Sequence, residues 1–207
     1  LSYDPDKDLL PVALLTDVPT VIATAVNAPY KTMDQYVQWL KQNPAQGSLG
    51  LASIGGAGHL GAFALSKELG LSVTPTPYRG ASPMLVDVVS GNVSMGWDAV
   101  ASMMPLYRGN KLHFLGVSGT HRIKALPDVP TAFEQGYKQF EYATIWYGAY
   151  VGGATPEPLR ERLQAAFVKA SHNPAAAAKL EALGLEVVGK PGSDARERML
   201  RERSAWG

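Results

Sequence analysis

This sequence predicts an α/β fold with a mostly parallel sheet and helices on both faces, and three observations predict it. Short β-branched apolar runs alternate with helix-length segments along most of the chain. Glycine-rich turns separate them, several lying directly after a strand and before a helix. The 207 residues are 46% hydrophobic and only 18% charged, enough apolar material for a sizeable core.

The elements follow in order. Residues 12–15 and 21–26 are β-branched and apolar, so they read as strands. Thr32 caps a helix over 33–42 that Asn43-Pro44 ends. Residues 49–54 form a short strand, followed by glycines and a helix over 59–69 that Gly70 stops. Residues 73–78 are extended, because Pro75 and Pro77 forbid a helix. A helix over 83–89 is closed by Ser90-Gly91-Asn92. Then come a strand over 93–97, a helix over 99–107 and a strand over 112–117. A strand over 142–151 opens the tail. Pro156 or Pro158 starts a helix to 171, Pro174 starts another to 183, and residues 194–206 make the last. Residues 20–142 hold 16 charged side chains, and the much shorter stretch 154–207 holds another 16. That shift places a domain boundary near 142–153.

Composition excludes several functions. Nineteen Lys and Arg stand against eighteen Asp and Glu, giving a net charge of +1 and no electrostatic reason to bind nucleic acid or an acidic membrane. The chain has no cysteine, hence no disulfide, thiolate metal site or cysteine nucleophile. The segment Leu1-Ser2-Tyr3-Asp4-Pro5 does not read as a signal peptide.

The sharpest motif is Ser53-Ile54-Gly55-Gly56-Ala57-Gly58-His59-Leu60-Gly61. Gly56, Gly58 and Gly61 satisfy G-x-G-x-x-G, the dinucleotide fingerprint. That fingerprint wants an acid at the end of the next strand, where this chain has Thr76-Pro77-Tyr78-Arg79. Glu68 lies in the helix instead, and the lysine of a P-loop is missing. What survives is more general: bare N–H groups at a helix start receive a carboxylate or phosphate. A plain tight turn is the alternative.

Pro77-Tyr78-Arg79-Gly80-Ala81-Ser82-Pro83 repeats the strand, glycine turn and helix start. It brings a second set of N–H groups to the same sheet edge. Asp98, where a strand passes into a helix, reads either as an N-cap or as an acceptor for a ligand amine or hydroxyl. A Ser53, His59, Asp98 triad lacks the G-x-S-x-G elbow. His59, His113, His121 and His172 are scattered without metal-ligand spacing, so neither a metal nor a cofactor is expected. Arg196-Glu197-Arg198 and Arg201-Glu202-Arg203 read as a salt-bridged helix face.

Taken in order, these segments resemble the periplasmic solute receptors of tripartite tricarboxylate transporters, the Bug receptors. The resemblance begins at Tyr3-Asp4-Pro5-Asp6-Lys7-Asp8 and Pro11-Val12-Ala13-Leu14-Leu15. It runs through Ala52-Ser53 to His59-Leu60, then Pro77-Tyr78-Arg79-Gly80, then Asp87, Gly91 and Val93. Its most specific stretch is Gly109-Asn110-Lys111-Leu112, Ala125-Leu126-Pro127-Asp128-Val129-Pro130-Thr131, Glu134 and Gly136. Trp146-Tyr147-Gly148, Thr155-Pro156, Leu183-Gly184 and Trp206-Gly207 complete it.

The resemblance implies a type II periplasmic-binding-protein fold, two α/β lobes joined by a hinge, with hinge segments near 14–20 and 142–148. Residues 1–20 would then be a remnant of lobe 1 with the first hinge strand. Residues 21–141 would be a complete lobe 2, and 142–207 the second hinge strand with the C-terminal helical part of lobe 1. It implies a non-enzymatic, periplasmic receptor that takes a small carboxylate in a cleft and passes it to membrane subunits of the transporter. Carried over by position, the ligand-binding residues are Ser53, Gly55, Gly56, Ala57, Gly58 and His59 in one loop and Tyr78, Gly80, Ala81 and Ser82 in another. Asp98 matches the family's acidic strand-end residue, and Trp146 sits at the hinge.

Two departures stand out. The loop after Ser53 is short and lacks the hydroxyl residue usual before the histidine, so the pocket should lean on backbone donors. The βα units that normally begin the family fold do not precede Leu1, so one lobe is expected to be incomplete. That predicts dimerisation, strand exchange or exposed apolar surface around 142–151. The competing reading from another class is an effector-sensing domain of a LysR-type regulator, with an enzyme on the same fold behind it.

Overall fold

The computed structural model describes residues 3–206, the side chains of Glu68 and Trp206 excepted. Leu1, Ser2 and Gly207, used above for the chain start and the family pattern, lie outside the described residues. In chain order the elements are α1 (Pro5–Asp8), β1 (Leu9–Val18), β2 (Thr20–Ala25), α2 (Met33–Gln42) and β3 (Ser48–Leu51). Then follow α3 (Ala57–Leu69), β4 (Thr74–Pro77), α4 (Ala81–Ser90), β5 (Met95–Ala99), α5 (Val100–Arg108) and β6 (Leu112–Val117). The tail holds β7 (Ile145–Gly152), α6 (Glu157–Ser171), α7 (Pro174–Ala182), β8 (Glu186–Pro191) and α8 (Gly192–Trp206). The chain forms two compact units. One takes the chain up to Val18 and again from Trp146 onward, and the other is Pro19–Ile145.

The Pro19–Ile145 unit is built on a five-stranded sheet ordered β4-β3-β5-β2-β6. β3 runs parallel to both β4 and β5, but β2 runs antiparallel to β5 and to β6. The sheet is therefore mixed, which corrects the expectation of a mostly parallel one. The reason is the route of the chain. β2 enters straight from Pro19, not through a βα crossover, so the geometry that forces parallel neighbours does not act on it. Every residue of β2 is buried, as befits an interior strand covered on both faces.

The two prolines of β4 fit because the strand is at the sheet edge. The N–H groups of Thr74 and Tyr78 donate to the carbonyls of Gly47, just before β3, and of Leu51 at its end, at 2.9 Å each. Pro75 and Pro77 alternate with them, so the missing donors fall on the open side. Helices cover both faces. On one, a Cβ added to Gly50 or Gly96 would come within 2.7 Å of Met84 or Val88, so these strand glycines let α4 settle close. On the other, Gly58 and Gly61 bring α3 down onto Trp97. Val21, Ala23, Met84, Val88, Met103 and Phe114 are among the buried residues of the core between β2, β6, α4 and α5. Burial of each larger side chain contributes about 1.5–3 kcal/mol.

The other unit has a three-stranded sheet ordered β7-β1-β8. β8, which the sequence reading missed, runs antiparallel to β1, with Ala13 opposite Pro191 and Asp17 opposite Glu186. α6 and α8 pack on β1. Arg198 of α8 is ion-paired with Asp17 of β1 and, at 2.9 Å, with Glu202 one turn on. β7 is an edge strand, and Tyr147 and Tyr150 on it are exposed. No helix among the described residues is long and apolar enough to cross a membrane.

Candidate functional site

The site is assembled at the carboxyl ends of β3, β4 and β5, where three strands each hand the chain to a helix. After β3 the chain turns through Ser53–Gly56 into α3. Gly55 has φ +81°, a left-handed conformation that glycine adopts without strain. Gly56 is the N-cap residue, with no side chain to bond back to the helix. Helix geometry leaves the N–H groups of Ala57 and Gly58 without an intrahelical acceptor, and they carry the positive end of the helix dipole.

His59 closes the turn from inside. Its Nδ1 accepts the Gly55 N–H at 3.1 Å, and its own N–H donates to the Gly56 carbonyl at 2.9 Å. The ring thus shapes the loop, and the Gly55 donor is engaged by it. The next loop enters α4 through Gly80, at φ +100°. The Tyr78 hydroxyl donates to Asp87 Oδ2 at 2.7 Å. Burial first, and then that carboxylate, push the phenol up to about 12. The same hydrogen bond, with one from Asn92, holds Asp87 below the ordinary carboxylate range. Ala81 and Ser82 form the first turn of α4. The third element corrects one reading of Asp98: the N-cap of α5 is Ala99. Asp98 instead accepts from the Ser102 hydroxyl at 2.7 Å and leaves its other oxygen unclaimed by that bond.

Ser53, Ala57, Gly58 and Asp98 come together around one small pocket of about 20 Å³. That is room for about one water, or for the oxygen of a larger ligand. Thr20, Leu51, Ala52, Trp97 and Ile145 complete its lining, and sequence reasoning did not assign them. Beneath it, the Trp97 indole N–H donates to Thr20 Oγ1 at 2.9 Å, and Thr20 and Ser118 share a hydroxyl bond of 2.5 Å. Thr20 is fully buried. Phe140 meets Trp97 edge-on, with ring centroids 5.1 Å apart. A signal for Trp97 was present: Gly58 and Gly61, three residues apart on α3, leave the gap a large ring fills. A Cβ on Gly61 would lie 2.0 Å from the indole. Thr20 had no such signal, since its place depends on the antiparallel register that sets it opposite Ala99.

The remaining assigned residues sit elsewhere. Gly55, Gly56 and His59 build the loop that presents the pocket's donors. Tyr78, Gly80, Ala81 and Ser82 lie on the adjacent strand end and helix start. Trp146 belongs to the other unit, where its indole N–H donates to the Glu202 carboxylate at 3.0 Å and Arg198 lies over its ring at 5.4 Å. Chemically, the arrangement is a set of backbone donors at a helix start facing one carboxylate and one serine hydroxyl. It suits an anion that also carries a donor group.

Known proteins share this architecture. A family model described as "Tripartite tricarboxylate transporter family receptor" matches residues 1–206. A curated Agrobacterium vitis protein, the UPF0065 protein of the TAR-I ttuE-ttuC' intergenic region, is 32% identical over 184 residues. That match covers 89% of this chain and 53% of the relative. MatC of Rhodopseudomonas palustris, solved with bound malate, superposes with TM-score 0.81 at 27% identity, over all of this chain and 72% of the other. A second R. palustris protein, solved with adipate, gives 0.84 at 25% identity, over 99% and 68%. The chain spans about half the length of the curated relatives it matches. With its sheet order, its glycine-turn site and a family match running through residue 206, the chain belongs to the tripartite tricarboxylate transporter receptor family.

Proposed function

We propose that this chain is the ligand-receiving part of a periplasmic, non-enzymatic receptor for a small carboxylate, which it passes to the membrane subunits of a tripartite transporter. One observation carries the reading: the Ala57 and Gly58 donors at the start of α3 share a pocket with Ser53 and Asp98. The backbone donors take the carboxylate, through the dipole and the free N–H groups together. Asp98 accepts a donor group of the ligand, such as a hydroxyl or the proton of a second carboxyl. Gly55, Gly56 and His59 hold the first loop in shape. Gly80, Ala81 and Ser82 extend the donor edge beside Tyr78, whose own N–H and O–H are engaged by Leu51 and Asp87. Family relatives solved with malate and adipate support a dicarboxylate.

The chain passes between its units at Val18 to Pro19 and at Ile145 to Trp146. We assign the hinge to these two crossings, with the lobes taken as residues 21–141 on one side and 1–20 with 142–207 on the other. Bending there would govern capture and release. Dimerisation or strand exchange through the β7 edge draws no support from the relatives.

The test is a thermal-shift and calorimetric titration with malate, adipate, citrate, acidic amino acids and aromatic acids. It is run on this chain and on a version lengthened to the span of its relatives. A binding acid at a hundred times its Kd raises stability by about 2.7 kcal/mol. Asp98→Asn changes the preference among acids, while Gly58→Ala, which crowds Trp97 and Leu51, weakens all of them. A lengthened chain that responds to none of the acids sinks the proposal. So does turnover of any bound acid that His59→Ala or Asp98→Ala abolishes.

A further inference from the structure

At the opposite edge of the same sheet lies a feature the carboxylate reading does not use. The amino ends of β3, β4 and β5 border an open groove of about 600 Å³. That volume is in the range of small-molecule sites, about 300–1,000 Å³. Its floor is rigid. Ser94 and Ser48 exchange N–H to Oγ bonds of 2.9 and 3.0 Å, and Ser94 Oγ donates to the Ser48 carbonyl at 2.7 Å. The Tyr30 hydroxyl adds a bond to the Ser94 carbonyl at 2.7 Å.

The lining has an unusual composition. It contains no Asp, Glu, Lys, Arg or His. It offers the amide of Asn27, the remaining N–H and the carbonyl oxygen of Gln46 and of Asn92, each of which already gives one N–H to Asn43 or Asp87, and the hydroxyl oxygens of Thr74 and Ser90, all on exposed residues. Trp39, half-buried, forms an aromatic wall beside Tyr30, with ring centroids 4.8 Å apart.

This chemistry selects a ligand class. With no charged side chain, the groove has no counter-charge for an ionic ligand. Its openness and its amides disfavour a purely apolar one, which would leave those groups desolvated and unpaired. A ligand that presents many neutral hydroxyls at its rim and a flat C–H face to an aromatic ring satisfies both halves. We propose that the groove is a second site, separate from the carboxylate pocket, for a neutral saccharide stacked on Trp39 and hydrogen-bonded by Asn27, Gln46 and Asn92.

The experiment is a titration of the isotope-labelled protein followed by amide and indole NMR. The probes are maltotriose, cellotriose and the trimer of N-acetylglucosamine, with adipate and a proline-rich decapeptide as comparisons. At least one sugar should shift the Trp39 indole and the Asn27, Gln46 and Asn92 side-chain amides, while adipate leaves them unmoved. Trp39→Ala should weaken that sugar about tenfold. Trp39 also packs on Tyr30 and Tyr36, so Asn27→Ala at an exposed position is the second variant, weakening binding severalfold. The proposal is overturned if no sugar moves these signals at millimolar concentration, if the shifts fall elsewhere, or if neither variant weakens binding. It is equally overturned if only the decapeptide binds the groove, because an aromatic wall can also seat a proline-rich segment.

Discussion

Single residues of the site divide into those that offer chemistry and those that make space for it. Gly61 is of the second kind. Alanine there would press a Cβ into the Trp97 indole, so Gly61→Ala should cost about 1–3 kcal/mol in a urea melt. Thr20 is the hydrogen-bond counterpart. Thr20→Val keeps the shape but strips the buried Trp97 N–H of its acceptor, at about 1–3 kcal/mol. Tyr78 yields a pH prediction. Its phenol titrates near 12 when folded, above the unfolded value of about 10. A raised pKa means the contribution is whole below pH 10 and is lost as pH climbs toward 12. Tyr78→Phe should therefore soften the alkaline limb of a stability-against-pH curve measured by melting temperature. The glycines were legible in the sequence because the turn demands them. The partners of Trp97 were not, because Thr20 and Phe140 reach it only through tertiary register.

Elements with punctuation at both ends were legible too. α2 runs over the residues its Thr32 cap and Asn43-Pro44 stop imply, and Thr32 Oγ1 does accept the Gln35 N–H at 3.2 Å. β8 was hidden because only Val187 and Val188 are β-branched apolar, and the strand makes sense only against β1. The direction of β2 was hidden for a like reason, since alternation in sequence says nothing about how a strand enters a sheet. The docking of α8 on β1 supplies a prediction at this scale. Arg198 is well shielded between Asp17 and Glu202. Arg198→Ala leaves two carboxylates facing a vacated site and should cost about 2–3 kcal/mol. Hydrogen exchange should show α8 losing protection ahead of β2 and β5.

For the molecule as a whole, the chain crosses between its two compact units at Val18 to Pro19 and at Ile145 to Trp146. The Pro19–Ile145 unit is an uninterrupted stretch with its own sheet and core. Expressed alone, it should fold cooperatively, with a single thermal transition and the tertiary circular-dichroism signal of buried Trp97. A broad, non-cooperative melt would show that the unit depends on the rest of the chain.

The pairing of β1 with β8 has a further consequence in time. Ala13 and Pro191 stand opposite one another although the whole Pro19–Ile145 unit lies between them in sequence. A ribosome therefore releases β1 long before β8, and the Pro19–Ile145 sheet between them is made in the interval. Until then one side of β1, a ten-residue largely apolar strand, stays open even where β7 already covers the other, and a chain paused in synthesis is most exposed to sticking there. Chaperone capture of nascent chains halted before residue 186 would map onto that early segment.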